Sequence, residues 1–323
     1  MQQNIKSNLP TKEDVISAYE IVRKYAHRTP IHQSKAVSSI LNANLFLKCE
    51  NFQKVGAFKF RGAANAVFSL SDSDAKYGVT THSSGNHAAA LALAASIRGI
   101  PSYIVMPENA PTIKKKAVAG YGANITFCVP TQKDREETQA RVQQETGATF
   151  IHPYNNFKVI CGQGTASLEL LADHPDIDIV IAPVGGGGLL SGTITYVKGF
   201  NPNIKVYGAE PVNADDAFRS LRDKTIYPSI NPKTIADGLL TSLCDLTYEI
   251  ISSKSDGILT VTEKGIVDAM RLIWERMKII IEPSSAVPIA AIMEHPQYFK
   301  GKKVGVIVSG GNVDLDNLPF SKG

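Results

Sequence analysis

Cysteine is scarce in this sequence of 323 residues. The four that occur share no Cys-x-x-Cys spacing, which excludes a small disulfide-stapled module and favours buried, reduced thiols. They are Cys49, Cys128, Cys161 and Cys244. The His-Glu-x-x-His spacing of zinc peptidases and the Gly-x-Ser-x-Gly turn of serine hydrolases are also missing. We therefore interpret His82 and His87 as packing or hydrogen-bonding residues.

Long hydrophobic runs are missing as well. The longest uncharged apolar stretches, residues 88–97 and 179–190, are shorter than the roughly 20 residues of a membrane-spanning helix, and the N-terminal MQQNIKSNLP has no apolar signal-peptide core. Charge of one sign is not concentrated: 34 Lys and Arg residues against 30 Asp and Glu residues leave a formal charge of +4 without a basic block. These absences argue against a membrane protein and a nucleic-acid partner, and we expect a cytoplasmic protein.

The composition that remains is ordinary for a globular protein, with 43% hydrophobic and 20% charged residues. The length exceeds the roughly 250–300 residues at which one core stops growing, which predicts two lobes. Short apolar runs alternate with segments of helical period, as in an α/β fold with largely parallel sheets flanked by helices. Glycine and proline at Gly78 and at 152–153 mark the predicted borders of a small, mobile lobe of residues 79–150, inserted in a large lobe of residues 1–78 plus 151–323.

Three local predictions concern the elements themselves. The residues from Thr11 to Asp14 are typical of a capping box that begins a helix ending near Ala26. A second helix is predicted over residues 62–70. The segment 210–237 is polar, contains proline and lacks a clear period, which predicts a long functional loop.

A run of four glycines, Gly185, Gly186, Gly187 and Gly188, separates an apolar strand from a predicted helix. Backbone N–H groups and a helix N-terminus can converge there on an anion without side-chain interference, so we predict a phosphate site. The run also comes close to the Gly-x-Gly-x-x-Gly/Ala pattern of dinucleotide-binding folds, and Glu210 follows the next strand, where a ribose-binding acid would lie. A nicotinamide-dependent oxidoreductase is therefore one alternative.

Three other motifs carry side chains suited to chemistry. Lys59 lies between two aromatic residues, and burial there would lower the pKa of its amine from about 10.4 and favour the neutral form that forms a Schiff base. The segment from Ser83 to His87 precedes an alanine-rich helix whose N-terminus suits a carboxylate. Ser309 ends the last predicted strand, where a hydroxyl group can hydrogen-bond a heterocyclic nitrogen.

These motifs, in this order, resemble those of the fold-type II pyridoxal 5′-phosphate (PLP) enzymes, and among them the serine racemase and serine/threonine dehydratase group. The resemblance runs from about residue 10 to residue 314 and includes FKFRG, THSSGNH, GQGT, PVGGGG, EPVNADD, TIADG, WERMK, IEP and SGGNVD. Threonine dehydratases usually have alanine where this sequence has Ser84. The resemblance implies a two-lobed fold like that of tryptophan synthase β, with the cofactor in the cleft between the lobes.

The resemblance also implies roles for single residues. Lys59 would form the Schiff base and take the Cα proton from one face of the substrate, and Ser84 would serve the opposite face. The cofactor would further be held by the four glycines at its phosphate, Asn86 at its phenolic oxygen, Phe58 and Gly238 at its ring faces and Ser309 at its pyridine nitrogen. The substrate would be bound by Ser83, Ser84, Asn86, His87, Arg135 and Thr241.

The implied activity is a PLP-dependent serine racemase that also eliminates the β-hydroxyl group of serine to give pyruvate and ammonia. The nearest alternative is a threo-3-hydroxyaspartate ammonia-lyase, which in this family carries the same SSGNH motif. A non-catalytic PLP-binding protein is a further alternative. The family also implies a homodimer.

Two further sites are implied by the resemblance alone. A divalent cation, Mg²⁺ or possibly Mn²⁺ or Ca²⁺, would be bound by Glu210, Asp216 and the carbonyl oxygen of Ala214. Animal relatives bind a nucleotide effector between subunits, so ATP is an implied effector. Five residues match that pocket: Ser34, Lys54, Tyr121, Lys278 and Asn312. Ala89 and Tyr154 depart from it, since the relatives have Gln and Asn at these positions.

Overall fold

Two parallel-rich sheets organise the computed structural model, which describes residues 9–83, 85–110 and 112–320. The strands are β1 (Ile31–His32), β2 (Asn44–Cys49), β3 (Val79–His82), β4 (Ser102–Pro107), β5 (Asn124–Cys128), β6 (Thr149–Phe150), β7 (Ile179–Pro183), β8 (Lys205–Pro211), β9 (Gly257–Val261) and β10 (Lys303–Val308). The larger sheet has the order β1-β2-β10-β7-β8-β9, and only β1 pairs antiparallel with its neighbour. The smaller sheet is parallel throughout, in the order β5-β4-β3-β6.

Helices follow most strands, as parallel pairing requires. They are α1 (Lys12–Tyr25), α2 (Lys35–Leu41), α3 (Lys59–Phe68), α4 (Asp72–Ala75), α5 (Asn86–Arg98), α6 (Thr112–Gly120), α7 (Gln132–Thr146), α8 (Phe157–Asp173), α9 (Gly188–Phe200), α10 (Asp216–Asp223), α11 (Asp245–Lys254), α12 (Glu263–Met277), α13 (Pro283–Glu294) and α14 (Pro296–Phe299). Within the described ranges, no helix is long and apolar enough to cross a bilayer.

The apolar core lies on both faces of the larger sheet and continues to the smaller one. Helices α12 and α13 cover one face, and α8, α9 and α11 contribute to the cluster on the other. Helix α3 packs against both α5 and α8, so it lies between the layers of the two sheets. Because its first residue is Lys59, this helix places the candidate nucleophile where the two sheets meet.

A buried, charge-balanced network of ion pairs holds α3 in place. The Arg61 guanidinium group makes paired hydrogen bonds with the carboxylates of Glu50 (2.7 and 2.8 Å) and Glu169 (2.7 and 3.0 Å). Lys48 Nζ donates to the same Glu169 carboxylate at 2.6 Å. All four side chains are almost fully buried. Two cations thus match two anions, which is what keeps buried charges tolerable.

The predicted α/β class with parallel-rich sheets is confirmed, and so is the capping box, in which Thr11 and Asp14 bond each other's backbone N–H groups. Other predictions were wrong. Helix α3 begins three residues before the predicted residue 62. The segment 210–237 is not a continuous loop, because it contains the end of β8 and the two-turn helix α10.

Candidate active site

A cavity of about 330 Å³ lies where the carboxyl ends of strands from both sheets approach each other. In open α/β folds this edge is the usual place for a ligand. Most of the side chains predicted for the site meet there. The predicted residues that line the cavity are Phe58, Lys59, Ser83, Asn86, His87, Arg135, Gly185, Gly186, Gly187, Gly188, Gly238, Thr241, Ser309 and Asn312. Ser84 lies outside the described residues.

Lys59 lies at the start of α3, with its amine turned into the cavity. Its Nζ donates to the carbonyl oxygen of Pro153 at 3.1 Å and lies 5.2 Å from the centre of the Phe58 ring. Burial lowers the pKa of the amine from 10.5 to about 8, although the carboxylate of Glu282 opposes this shift. A lysine with such a pKa reaches the neutral, nucleophilic form far more readily than an exposed one.

The four glycines connect β7 to α9 by a backbone path that tolerates no side chain. A Cβ atom at Gly186 would lie 2.4 Å from ring carbons of Tyr154, and one at Gly185 would lie 3.0 Å from the backbone of Leu239. Gly187 has a φ of +84°, which favours glycine on its own account. Since α9 begins at Gly188, the unpaired N–H groups of its first turn face this space. The segment therefore fits a phosphate group.

Ser309 is tied to the lysine segment through the backbone. The N–H of Phe58 donates to the carbonyl oxygen of Ser309 at 2.9 Å, so the start of α3 is joined to the end of β10. The Ser309 hydroxyl group lies 2.9 Å from that of Ser285 and lines the cavity. Its neighbours supply no carboxylate to it in the described chain, which fits a neutral partner for a heterocyclic nitrogen.

The segment before α5 presents the N-terminus of that helix to the cavity. Gly85 precedes the helix, and its N–H lies 3.4 Å from the Ser83 hydroxyl oxygen. His87 Nε2 donates to the carbonyl oxygen of Ile151 at 3.1 Å. Burial, with a smaller effect of Lys59, lowers the pKa of His87 to about 3, so this side chain is neutral at pH 7. A substrate carboxylate would be bound here by the helix N-terminus rather than by a cationic histidine.

Two aromatic residues of the site were not predicted. His152 Nδ1 accepts the backbone N–H groups of Asn155 (2.8 Å) and Tyr154 (3.3 Å), so the ring proton lies on Nε2. Burial and the neighbouring His82 lower the pKa of His152 to about 4, which keeps it neutral. The Tyr154 ring packs against the glycine segment and lies 4.6 Å from the His152 ring. A Pro flanked by His and Tyr is no recognisable motif, so only the fold reveals them.

Glu282 was also missed, although it lines the cavity. Asn86 Nδ2 lies 3.3 Å from both of its carboxylate oxygens, and the N–H of Asn312 donates to one of them at 3.1 Å. Burial and the nearby Asp237 raise the pKa of Glu282 to about 7. Glu282 lies in the IEP motif of the resemblance, but no role was assigned to it, because an acid before a proline that begins a helix also fits an ordinary helix start.

Arg135 and Thr241 also line the cavity. The Nε of Arg135 is buried and has no hydrogen-bond partner among the residues that the structure describes. Lys114 and Asp237 line the cavity as well, and the Lys114 Nζ forms an ion pair of 2.6 Å with the carboxylate of Asp237, next to Gly238. This ion pair joins α6 to the turn that carries Gly238.

The predicted cation ligands lie at the end of β8, outside the cavity lining. Glu210 is 1% exposed, and burial raises its pKa well above the usual value, although one oxygen accepts the N–H of Phe218 at 2.5 Å. Burial likewise raises the pKa of Asp216 to about 6, and its Oδ2 has no partner within the described chain. Ala214, which lies between these two residues in the sequence, is also buried. Two buried carboxylates of this kind fit a cation, although the described residues contain no group of three acidic, His or Cys ligands.

The residues predicted for a nucleotide effector have partners of their own in this chain. The hydroxyl of Ser34 caps α2, Lys54 Nζ lies 5.4 Å from the Phe60 ring centre, and Lys278 donates to the carbonyl oxygen of Glu275. Tyr121 directly follows α6 and packs against the cluster beneath the smaller sheet. Of the five, only Asn312 lines the cavity.

A buried lysine that faces a glycine-lined anion cradle, in a cleft between two parallel-rich sheets, defines the class of fold-type II PLP enzymes. Comparison with known families agrees: the model of the family described as "Pyridoxal-phosphate dependent enzyme" matches residues 22–310. The chain belongs to this family. The residues fit the cofactor, because the glycine segment brings backbone N–H groups and no side chains of its own to the cavity, and the amine has a lowered pKa.

Individual relatives are similar over nearly the whole chain. A β-hydroxyaspartate dehydratase from Paracoccus denitrificans is 51% identical over 97% of this chain and 99% of its own. A serine racemase from Dictyostelium discoideum is 49% identical over 95% of this chain and 96% of its own. The solved structure of maize serine racemase, 44% identical, superposes with a TM-score of 0.94 and covers 96% of this chain and 95% of its own. These relatives favour PLP over the nicotinamide alternative.

Proposed function

We propose that this protein is a serine racemase that also dehydrates serine to pyruvate and ammonia. The observation that carries the proposal is the placement of the Lys59 amine, with its lowered pKa, opposite the glycine cradle and the N-terminus of α5 in one cavity. PLP, when bound, withdraws electrons from the Cα atom of an attached amino acid and so acidifies its Cα–H bond. The names of the serine racemase relatives support serine as the substrate.

The residues of this chain would then divide the work. The N-terminus of α5 and the Ser83 hydroxyl orient the substrate carboxylate, which sets the Cα–H bond towards Lys59. The neutral Lys59 amine takes the proton at Nζ and, in its protonated form, is steadied by the carbonyl oxygen of Pro153. Ser84, by resemblance, gives or takes the proton on the other face. Racemisation returns a proton to Cα. Dehydration instead releases the β-hydroxyl group with a proton as water, and the enamine that remains is hydrolysed by a water molecule to pyruvate and ammonia.

The test is to incubate the PLP-loaded protein with L-serine and to measure D-serine and pyruvate. We expect both products, and we expect Lys59→Ala to abolish both together with the visible absorbance of the bound cofactor. Lys264→Ala, which removes an exposed lysine paired with Asp268, is the matched control and should change neither. Formation of neither product by the wild-type protein with PLP bound would reject the proposal and leave a lyase for another hydroxy amino acid or a non-catalytic PLP-binding protein.

A second candidate function is the elimination of ammonia from threo-3-hydroxyaspartate. The Nε of Arg135, a residue of the cavity lining, favours it: this atom is buried without a partner among the described residues, and a second carboxylate on the substrate would provide the acceptor. The β-hydroxyaspartate dehydratase relative supports the same candidate. Comparing kcat/KM for serine and 3-hydroxyaspartate separates the two. Arg135→Met should lower kcat/KM for 3-hydroxyaspartate selectively, whereas Arg141→Met on the exposed side of α7 should not.

We also propose that Glu210, Asp216 and the carbonyl oxygen of Ala214 bind a divalent cation, preferably Mg²⁺. The buried carboxylates with raised pKa values support this, because a cation would relieve the cost of ionising them. Residues 79–150 are further proposed to move as the small lobe, since the whole smaller sheet lies within them. A homodimer, a cytoplasmic location and an ATP effector remain predictions from the sequence.

A further inference from the structure

The side chain of Glu282 occupies an unusual place for the residue that precedes a helix. Its backbone carbonyl accepts the N–H of Ser285 at the start of α13, but its carboxylate makes no capping bond to that helix. The carboxylate turns instead into the cavity, where it accepts from Asn86 Nδ2 and from the N–H of Asn312. Asn86 begins α5, which follows β3 of the smaller sheet, and Asn312 follows β10 of the larger sheet. Glu282 therefore joins a segment next to one sheet to a segment next to the other.

The neighbouring hydrogen bonds determine which way the Asn86 amide faces. Asn312 Nδ2 donates to the carbonyl oxygen of Val55 at 2.8 Å, and because a carbonyl only accepts, this fixes the Asn312 amide. The same Nδ2 lies 2.9 Å from Asn86 Oδ1, which must therefore be the acceptor. Asn86 Nδ2 is consequently the group that faces the Glu282 carboxylate.

In this arrangement one of the two N–H groups of Asn86 Nδ2 is not used by Glu282. Its Nδ2 lies 3.3 Å from each Glu282 oxygen, as expected when a single N–H points between the two. The second N–H of Nδ2 is then available to the cavity, which Asn86 lines. A reversed amide would present an oxygen to the carboxylate and be repelled by it. Glu282 thus selects the amide orientation that offers a donor to a ligand.

The space around Glu282 is shaped for its carboxylate. The residue is 5% exposed, and a Cβ atom at Gly310 would lie within 2.8–2.9 Å of its carboxyl atoms, so a side chain there would displace the carboxylate. The ionisable groups whose charges reach it are Lys59, Asp237 and Lys114. Asp237 opposes its ionisation, and Lys114 favours it.

We propose that Glu282 is a positioning residue, which holds the Asn86 amide as a hydrogen-bond donor towards the phenolic oxygen of PLP. The inference rests on the proposed function, because it takes Asn86 as a contact of PLP. It goes further in assigning to Glu282, a residue with no predicted role, control over the strength of that contact.

The test is a double-mutant cycle on the dissociation constant of PLP, measured by equilibrium dialysis of the holoenzyme at pH 8. Glu282→Gln replaces one of the two carboxylate oxygens with an NH2 group. In either orientation of the new amide, this NH2 group faces the Nδ2 of Asn86 or the N–H of Asn312, so one donor meets another. We expect PLP to bind about 10- to 100-fold more weakly. In the N86A background the same substitution should change the constant less than about twofold, because the residue through which it acts is gone. Glu294→Gln, which removes a carboxylate that caps α12 far from the cavity, is the control and should have no effect.

The outcomes separate the inference from the function on which it rests. Equal losses from Glu282→Gln with and without Asn86 would overturn the inference and indicate a general structural effect. If Asn86→Ala alone left PLP binding unchanged, the inference would also fall, whereas the Lys59 test of the function would stand.

A second measurement needs no substitution at position 282. Because the pKa of Glu282 is raised to about 7, its carboxylate is lost as the pH falls from 8 to 6. The advantage of wild type over Asn86→Ala in PLP affinity should shrink severalfold over this range. If the ratio of the PLP dissociation constants of Asn86→Ala and wild type stayed the same from pH 8 to pH 6, the inference would be contradicted, even if Glu282→Gln failed to fold.

Discussion

Replacing Lys59 with methionine should make the cofactor-free protein more stable, although it removes the central functional group. The folded chain carries this amine with a pKa of about 8, against 10.5 when exposed. At about 1.4 kcal/mol per pKa unit, this difference in pKa lowers the free energy of unfolding of the wild-type protein by about 3 kcal/mol at pH 7. This is an upper value, because Lys59 keeps partial contact with the cavity and loses its bond to Pro153 in the variant. We expect a net gain of about 1–3 kcal/mol.

The sign of the pH dependence follows from linkage. A lysine whose pKa is lowered by folding penalises the fold most fully below its folded pKa, and the penalty disappears once the pH exceeds the unfolded value. Between pH 7 and pH 9 the penalty should therefore fall by about 1 kcal/mol. The advantage of Lys59→Met over wild type should fall by the same amount.

Urea unfolding of the two cofactor-free proteins at pH 7 and pH 9 measures this difference. Lys264→Met, at an exposed position, should change the free energy of unfolding by less than about 0.5 kcal/mol at either pH. The reasoning is refuted if Lys59→Met is less stable than wild type at pH 7, or if its advantage grows as the pH rises.

Three further predictions test other parts of the site. Gly186→Ala should weaken PLP binding at least tenfold in equilibrium dialysis, because its methyl group would overlap the Tyr154 ring, whereas Gly120→Ala meets no neighbour and should bind normally. Arg61→Met should lower the free energy of unfolding by about 3–5 kcal/mol, since it leaves the buried Glu50 carboxylate without a cationic partner and Glu169 with Lys48 alone; a loss below 1 kcal/mol would contradict a structural role for the network. Chelation with EDTA should reduce turnover and thermal stability of wild type but not of Asp216→Asn, and an equal response of both would argue against the cation site.

The sequence was most informative where a physical requirement restricts the residue type. Four successive glycines are needed because Tyr154 and Leu239 leave no room for a Cβ atom, and that demand is visible in the sequence as a rare pattern. Lys59 was identified by its aromatic neighbours, and the structure does bring it into the same cavity as the glycines. Helix α1 was predicted to begin at a capping box and to end near Ala26, and it ends at Tyr25.

Other features could not be predicted because their causes are distant in the chain. Strand β9 and helix α11 are short and take their stability from packing on β8 and α9, which no local pattern records. Glu282 resembles any residue before a helix until α5 and the turn after β10 approach it. The tautomer of His152 likewise depends on backbone N–H groups that only the folded turn presents.

The central claim is that PLP is bound covalently by Lys59. Treating the holoenzyme with sodium borohydride fixes the cofactor irreversibly to the amine that carries it, and peptide mass spectrometry then locates the label. We predict a pyridoxyl group on the peptide that contains Lys59 and on no other lysine. Labelling of a different lysine such as Lys54 or Lys114, with Lys59 unmodified, would contradict the account.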